Sequence, residues 1–277
     1  MMAAEQEWLE KKADEIRTKY LQYVNKTGRS HVGGSLSMCE IVVALYYRFM
    51  KYDIGNYRDP DRDRFILSKG HCSELLYIIF SDMGLYEFDE LVQERGRMNG
   101  RFSGHADRRY LPYIEVSTGS LGHGLPVAAG CAHAAITGKP YKVFCLLGDG
   151  ELNEGSNWEA VMYAVHNSLH NLVIIIDRNG YSSCQKTEDI MGLEDLDSKF
   201  LSFGCEVLRI NGNAMKDVCY ALELALNRSD PKKPFVVIAC TKKGYGIRAA
   251  MDMPGEWHHR EVSDEILEEF MKGEKSL

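Results

Sequence analysis

The chain has 277 residues, 45% of them hydrophobic, so it is long enough to bury one large core. Its formal net charge is −7, and acidic and basic residues are interspersed along the chain without a run of five or more like charges. A protein that binds a nucleic-acid backbone normally presents a basic face, so this balance argues against nucleic acid as a partner. No apolar stretch reaches the ~18 residues of a membrane span, so we expect no membrane insertion.

The eight cysteines are scattered singly, and none forms a Cys-x-x-Cys pair. Several lie in apolar runs, which is typical of reduced thiols packed inside a cytosolic protein. The first twenty residues are charged and helix-like, so we expect no signal peptide and predict a cytoplasmic protein. No repeat, low-complexity tract or linker divides the sequence, which predicts one domain over residues 1–277.

Helical and strand patterns alternate along the chain. Between Met38 and Phe49 apolar side chains recur at helical spacing, which predicts a helix packed against a flat surface. Short apolar runs rich in Val and Ile follow at 143–147, 172–177, 205–210 and 235–241. Such runs, separated by helical patterns, are typical of a parallel sheet covered on both faces. The predicted fold is α/β and three-layered, with a mainly parallel sheet between helices.

Polar side chains follow the first two of these predicted strands. The run at 143–147 leads into the tripeptide Gly-Asp-Gly at 148–150, and the run at 172–177 ends just before Asn179. Ligands of open parallel sheets lie beyond the carboxyl ends of the strands, so we expect both loops to line one crevice. Alone, the tripeptide is also compatible with an ordinary turn, in which Asp and Gly are favoured for conformational reasons.

The oxygen atoms of these two loops suit a magnesium ion. We predict that the carboxylate of Asp149, the amide oxygen of Asn179 and the backbone carbonyl of Tyr181 bind it. Two phosphate oxygens and a water would complete an octahedral oxygen site of the kind that Mg²⁺ prefers. The sequence therefore predicts a magnesium ion that holds a diphosphate.

A further helix is predicted shortly after the tripeptide. Its apolar face comprises Trp158, Val161, Met162 and Val165. Ser156 and Glu159 have the spacing of a capping box, so we expect them to cap this helix. Glu154, just upstream, has a charge that would complement the helix N-terminus.

Six segments together resemble the transketolase family, from about residue 12 to about residue 265. The stretch GDGELNEGSNWEAVMYAVHNSLHNLVIIIDRNGYSS is similar to the thiamine-diphosphate signature, in which Gly-Asp-Gly is followed by Asn across one helix and one strand. The other segments are SHVGGSLS with His31, DRDRFILSKGH with His71, FSGHAD with His105, VSTGSLGHG with Gly119 and Leu121, and GEWHHR with His258.

The resemblance implies roles for these residues. His31, His105 and His258 would contact the two-carbon donor fragment and the substrate hydroxyls, which suits imidazole because its unperturbed pKa is near neutrality. The residues implied to bind thiamine diphosphate are His71, Gly119, Leu121, Gly148, Asp149, Gly150, Glu154 and Asn179. In the family, the glutamate that matches Glu154 lies between cofactor-binding halves, an alternative to its role at the helix N-terminus. His123 would lie in the loop under the cofactor ring, and we leave the remaining histidines to structural roles.

The resemblance also implies a reaction and a partner. Transketolases move a two-carbon ketol unit from a ketose phosphate to an aldose phosphate with thiamine diphosphate and Mg²⁺. In the family, the glutamate that activates the cofactor lies on a second domain, and this chain stops at Leu277, just after the first domain would end. We therefore expect a transferase that is inactive alone and pairs with a C-terminal transketolase subunit, containing the pyrimidine-binding domain and a C-terminal domain, as an α2β2 heterotetramer.

Several departures from the family pattern leave the substrate open. Val32 replaces a usual Pro, His123 a Gln, and Gly180 a common Lys, which suits specialised sugars as well as pentose phosphates. An α subunit of a 2-oxo-acid dehydrogenase or part of a deoxyxylulose-phosphate synthase would also carry Gly-Asp-Gly and Asn. The set of histidines argues against the dehydrogenase subunit, and the short chain argues against the synthase as a complete enzyme. A further alternative is a paralogue that binds the cofactor but has lost catalytic turnover.

Overall fold

A computed structural model describes residues 3–136, 138–228 and 232–272. The strands are β1 (Arg64–Leu67), β2 (Val143–Gly148), β3 (Leu172–Arg178), β4 (Tyr181–Ser182), β5 (Gln185–Lys186), β6 (Glu206–Asn211) and β7 (Phe235–Cys240). Five of them form one sheet in the order β1, β2, β3, β7, β6, and every pair is parallel. The pair β4 and β5 is a short antiparallel hairpin directly after β3.

Helices fill the connections between the strands. They are α1 (Ala3–Thr27), α2 (Val32–Ser37), α3 (Cys39–Ala44), α4 (Ser73–Asp82), α5 (Phe88–Glu94), α6 (Gly124–Ile136), α7 (Gly155–His166), α8 (Thr187–Ile190), α9 (Leu196–Phe203), α10 (Met215–Leu226), α11 (Arg248–Asp252) and α12 (Asp264–Met271). A π-helical turn, Leu45–Phe49, extends α3, and short 3₁₀ turns lie at Ile54–Asn56, Gly70–Cys72 and Gly150–Asn153.

The sheet separates two hydrophobic cores. Successive side chains of a strand point to opposite faces, so Phe144 and Leu146 of β2 enter one core while Cys145 and Leu147 enter the other. The first core lies between the sheet and α1, α3, α4 and α10, and the second lies between the sheet and α6, α7 and α9. This arrangement confirms the predicted three-layer α/β fold.

All four predicted strands and the helix after Met38 are present. The strand β1 was not among the predicted strands, and its four residues lie inside the DRDRFILSKGH segment. The strand β6, predicted to be covered on both faces, is the last strand of the sheet and is only partly buried. A four-residue strand is too short for a periodic pattern to distinguish it from a loop.

Two details predicted for α7 are wrong. The residue at its N-cap is Glu154, and the Ser156 hydroxyl instead donates to the carbonyl of Gly122 at 2.7 Å, so there is no capping box with Glu159. Met162 is 57% exposed, because the buried face of α7 is centred on Asn157, Ala160, Val161 and Ala164.

The cysteines are unpaired, as the sequence predicts. All eight thiols are free, and Cys184 is the exposed one. Over the ranges that the structure describes, no helix combines the length and the apolar character needed to cross a bilayer.

Candidate active site

A cleft of about 190 Å³ opens at the carboxyl ends of the central strands. The predicted site residues that line it are His71, Gly119, Leu121, Gly148, Asp149, Gly150, Asn179, Tyr181 and His258. As expected from the parallel sheet, the loops after β2 and β3 share this one crevice. The cleft therefore brings together most of the predicted site residues, although they are spread over more than 180 positions of the sequence.

Asp149 lies at the floor of the cleft, where β2 passes into a 3₁₀ turn. Its side chain is 1% exposed, and its two oxygens accept from the backbone N–H groups of Gly150 at 2.9 Å and Gly180 at 2.6 Å. Burial, together with the nearby carboxylate of Asp177, raises the pKa of Asp149 to about 6. Position 150 requires glycine, because a Cβ there would lie 2.6 Å from the Cβ of Ser182.

Hydrogen bonds also fix the orientation of Asn179. Its Nδ2 donates to Asp177 at 3.1 Å, while its Oδ1 accepts from the backbone N–H of Tyr181 at 3.0 Å. Within the described ranges, no group of three His, Cys, Asp or Glu side chains is arranged to hold a metal. A cation between Asp149 and Asn179 would thus have one carboxylate and neutral oxygens, a set that fits Mg²⁺ completed by phosphate oxygens.

A backbone bridge near the mouth of the cleft brings distant segments together. Ser30 and Arg260 exchange two hydrogen bonds of 3.0 Å, and the N–H of Gly33 donates to the carbonyl of Trp257 at 2.9 Å. The segment that follows Ser30 is thereby held against the segment that follows Trp257. This pairing places His31 beside His258, although they are far apart in the sequence.

Five histidine rings form one cluster around His31. The ring centroid of His31 lies 5.2 Å from His71, 5.7 Å from His105, 5.1 Å from His258 and 4.8 Å from His259. All four histidines chosen from the sequence are therefore neighbours. His259, which was predicted to have a structural role, is a neighbour as well. Its position directly after His258 was the only signal that could have found it.

Burial and the charges of neighbouring groups keep three of the imidazoles, those of His31, His71 and His258, neutral near pH 7. Burial, followed by the charges of His258 and other neighbouring histidines, lowers the pKa of His31 to about 3. Burial and Lys243 lower the pKa of His258 to about 4, and burial and Lys69 lower the pKa of His71 well below its usual value. Near pH 7 each of these rings therefore has one donor and one acceptor nitrogen, which suits hydrogen bonding with sugar hydroxyls.

Two lysines at the cleft were missed at the sequence level. Lys69 is fully buried and donates to the carboxylate of Asp177 and, at 2.8 Å, to the carbonyl of Gly34. Burial opposes both charges, yet the pairing raises the pKa of Lys69 and lowers that of Asp177. Lys243 donates to the carbonyl of Ser183, and burial lowers its pKa to about 8. Because Lys69 is neutralised by Asp177, Lys243 is the ammonium group that the cleft would offer to an anionic ligand.

Glu151 is a further residue that the sequence did not reveal. Its carboxylate is buried and accepts from the N–H groups of Gly122 at 2.9 Å and Gly148 at 3.2 Å, as well as from the hydroxyl of Ser68. Burial raises the pKa of Glu151. This one side chain holds the loop before α6 against the loop after β2, so the two walls of the cleft keep a fixed separation.

Four predicted residues do not line the cleft: His31, which lies in the histidine cluster beside it, and three residues that are exposed. Glu154 is exposed at the N-cap of α7, and a Cβ on Gly122 would meet its side chain. His123 is exposed, with Nδ1 3.1 Å from the carbonyl of Leu121, and it does not line the cleft. His105 is exposed beside Gly119, whose φ of +144° and close approach to the His105 ring exclude a Cβ.

Comparison with known proteins gives this site a family. Residues 9–259 match the family described as "Transketolase, thiamine diphosphate binding domain". The chain is 38% identical to one of the subunits of apulose-4-phosphate transketolase from Phocaeicola vulgatus, across 96% of this chain and 93% of that protein. It is 37% identical to the 6-deoxy-6-sulfo-D-fructose transketolase subunit SqwG of a Clostridium species, across 88% of both chains.

Longer transketolases share the fold. The structure of transketolase from Campylobacter jejuni superposes with a TM-score of 0.87 at 28% identity, over 96% of this chain. The match covers 42% of that chain, so the present chain spans about two fifths of that transketolase. The family match, the relatives named as subunits and the shared fold agree on one assignment, and the chain belongs to the transketolase family.

Proposed function

We propose that this chain is the thiamine-diphosphate-binding subunit of a two-subunit transketolase that works in the cytoplasm. The observation that carries the proposal is the single cleft in which Asp149 and Asn179 meet the histidine cluster around His31. The relatives named as subunits, which match the chain over most of its length, support the two-chain arrangement. Residues 1–277 would then act as one diphosphate-binding domain.

The polar atoms of the cleft fit Mg²⁺ and a diphosphate. Asp149, Asn179 and the backbone carbonyl of Tyr181 would hold the ion, while His71 and Lys243 would face the phosphate oxygens. A Cβ on Gly148 would meet only the Cβ of Lys69, at 4.0 Å, so the space above this glycine is open to a ligand. When bound, thiamine diphosphate supplies the carbon centre that accepts and releases a two-carbon unit.

The chain's own residues would orient the sugar. His31, His105 and His258 lie in one cluster beside the cleft, where they would hydrogen-bond the hydroxyls and the carbonyl of a ketose donor. Being neutral near pH 7, His31 and His258 would each accept a hydrogen bond from one sugar hydroxyl and donate a hydrogen bond to another oxygen. Gly119 and Leu121 would contact the heterocyclic core of the cofactor from the opposite wall.

The partner would be a C-terminal transketolase subunit that contains the pyrimidine-binding domain and a C-terminal domain. It would complete the active site across the open mouth of the cleft, and two copies of each subunit would form an α2β2 assembly. Glu154 is exposed at the start of α7, where it is accessible to such a partner. The proposal therefore assigns Glu154 to the interface between cofactor-binding halves.

The substrate would be a ketose phosphate or a related specialised ketose, with an aldose phosphate as acceptor. The two relatives named as subunits act, by name, on apulose 4-phosphate and on 6-deoxy-6-sulfo-D-fructose. Their names favour a specialised sugar. Pentose phosphates are the alternative donors.

The deciding experiment measures ketol transfer by this chain, with Mg²⁺ and thiamine diphosphate, in the presence and absence of the candidate partner subunit. The donors are xylulose 5-phosphate, apulose 4-phosphate and 6-deoxy-6-sulfo-D-fructose. We expect turnover only in the mixture, and Asp149→Asn in this chain should abolish it. Full activity of the isolated chain would contradict the two-subunit proposal. Tight cofactor binding by the mixture without turnover of any donor would favour a paralogue that has lost catalysis.

A further inference from the structure

The guanidinium of Arg178 connects the predicted metal ligand to a separate surface segment. It lies at the end of β3, one residue before Asn179. Its Nη1 donates to Oδ2 of Asp149 at 3.0 Å and to the hydroxyl of Thr187 at 2.5 Å, and its Nη2 donates to Glu188. The Arg178 side chain is 17% exposed and that of Asp149 is 1% exposed, so their contact is shielded from solvent screening, whereas Glu188 is 44% exposed.

The hydrogen bonds of Asp149 leave one direction for a metal. Its Oδ2 accepts from Arg178 and from the N–H of Gly180, whereas Oδ1 accepts from the N–H of Gly150. Two carboxylate oxygens offer about four lone-pair positions, and these three donors occupy three of them. Arg178 thus fills the second position on Oδ2, and the position that remains is on Oδ1. Such a carboxylate can bind a cation through one oxygen only.

The far end of the Arg178 side chain organises the residues after β5. Glu188, which pairs with Arg178, also accepts from the N–H groups of Leu193 at 3.1 Å and Glu194 at 3.3 Å. The N–H of Thr187 donates to the carbonyl of Gly180 at 3.0 Å. Through these contacts, residues 187–194 are tied to the same arginine that contacts Asp149.

We propose that Arg178 is a positioning residue for the magnesium site, and this inference rests on the proposed function. It holds Asp149 so that Oδ1 receives the ion, and it makes the order of residues 187–194 depend on the same carboxylate. Partners that orient a metal ligand in this way typically account for about 10–100-fold in metal affinity. A purely electrostatic role would have the opposite sign, because removing a positive charge beside Asp149 strengthens its attraction for Mg²⁺.

The first experiment titrates Mg²⁺ into the complex of this chain with its partner subunit in the presence of saturating thiamine diphosphate. Retention of the cofactor in equilibrium dialysis reports binding without requiring turnover. We expect Arg178→Gln to raise the Mg²⁺ concentration for half-saturation by about 10–100-fold. Arg178→Lys, which keeps one donor near Asp149, should lie between this variant and the wild type. Unchanged or tighter Mg²⁺ binding by Arg178→Gln overturns the proposal.

The matched control is Arg209→Gln, which removes another arginine that pairs with an aspartate, Asp197, outside the cleft. It should bind Mg²⁺ as the wild type does. A wild-type complex that binds no thiamine diphosphate would contradict the proposed function itself. Because the wild type is measured first, this outcome is distinguished from a failure of the Arg178 proposal.

The second experiment needs neither metal nor cofactor. Amide hydrogen exchange of the full chain should be faster at Leu193 and Glu194 in Arg178→Gln than in the wild type, because Glu188 loses the guanidinium that holds it. Arg209→Gln should leave these amides unchanged. Unaltered exchange at Leu193 and Glu194 in Arg178→Gln overturns the link between Asp149 and residues 187–194.

Discussion

Two buried ion pairs in this molecule have different surroundings. The cleft pair is Lys69 with Asp177, and the carboxylate of Asp177 also accepts from the hydroxyls of Ser37 and Thr241 and from the amide of Asn179. The helix pair is Arg17 of α1 with Glu40 of α3. In the helix pair, Nε of Arg17 and Oε2 of Glu40 are buried and have no hydrogen-bond partner among the described residues.

The two pairs differ in whether the remaining polar atoms of their charged groups are hydrogen-bonded, and this difference predicts how much each pair stabilises the fold. Burying a charge costs several kcal/mol per ion, and only a network that satisfies the remaining polar atoms offsets this cost well. The cleft pair has such a network, and it also holds Asn179 and Gly34, both of which line the cleft. The helix pair connects two helices and contacts no predicted site residue directly. We therefore expect the cleft pair to matter for stability and for the site, and the helix pair to be replaceable.

The largest expected effect comes from breaking the cleft pair. Lys69→Met leaves the carboxylate of Asp177 buried without its counter-ion, which we expect to lower the free energy of unfolding by about 3–5 kcal/mol. Cofactor binding should also be lost, because Asn179 and Gly34 lose a fixed neighbour. Urea denaturation of the chain and dialysis of thiamine diphosphate against the complex measure the two effects.

The double variant Lys69→Met with Asp177→Asn tests the cause. Because the double variant has no unpaired charge, it should recover most of the lost stability, and the amide oxygen at position 177 can still accept from Asn179. A Lys69→Met variant that loses less than about 1 kcal/mol would show that the buried charges are not strongly coupled.

The features of the cleft that could be predicted from the sequence are those encoded by short local patterns. The runs in β2, β3 and β7 predicted buried parallel strands, and their order along the chain placed the Gly-Asp-Gly tripeptide and Asn179 at one edge of the sheet. The cluster of four histidines followed from resemblance, since no spacing rule brings His31 to His258. The bridge between Ser30 and Arg260 that unites them has no local sequence signal.

The groups that the sequence did not reveal act through distant partners. Lys69 lies in a recognised segment, but its ion pair with Asp177 spans 108 positions. Glu151 reads as one more acidic residue near a helix start, yet its carboxylate joins Gly122 to Gly148. A capping box at Ser156 was the natural local interpretation. It is wrong because tertiary contact with Gly122 captures the serine hydroxyl.

The histidine cluster predicts a smaller effect, on how the stability of the protein depends on pH. His31 has a folded-state pKa of about 3, whereas an unfolded histidine titrates near 6.5. Between these values the unfolded state binds more protons, so this group makes stability rise with pH and fall as pH drops from about 6.5 towards 3. We expect His31→Asn to flatten this slope in urea denaturation curves between about pH 7 and pH 4.

The titratable groups that face His31 are His71, His105, His258, His259 and Lys243. The control is His166→Asn, at the exposed end of α7, which should leave the slope as in the wild type. A slope that does not change in His31→Asn would show that burial of this imidazole is not coupled to folding.

The smallest change in stability should come from replacing the helix pair completely. Arg17→Met with Glu40→Leu removes both charges and both unpaired atoms, and well-packed apolar replacements of buried ion pairs are neutral or stabilising by about 1–4 kcal/mol. The single variant Arg17→Met should instead be destabilised, since it leaves Glu40 charged and buried. Cofactor affinity of the complex should stay at the wild-type value in the double variant. The double variant could instead lose both stability and cofactor binding, as Lys69→Met is expected to. The two pairs would then have the same role, and the extent of their hydrogen bonding would not explain which buried ion pair the molecule needs.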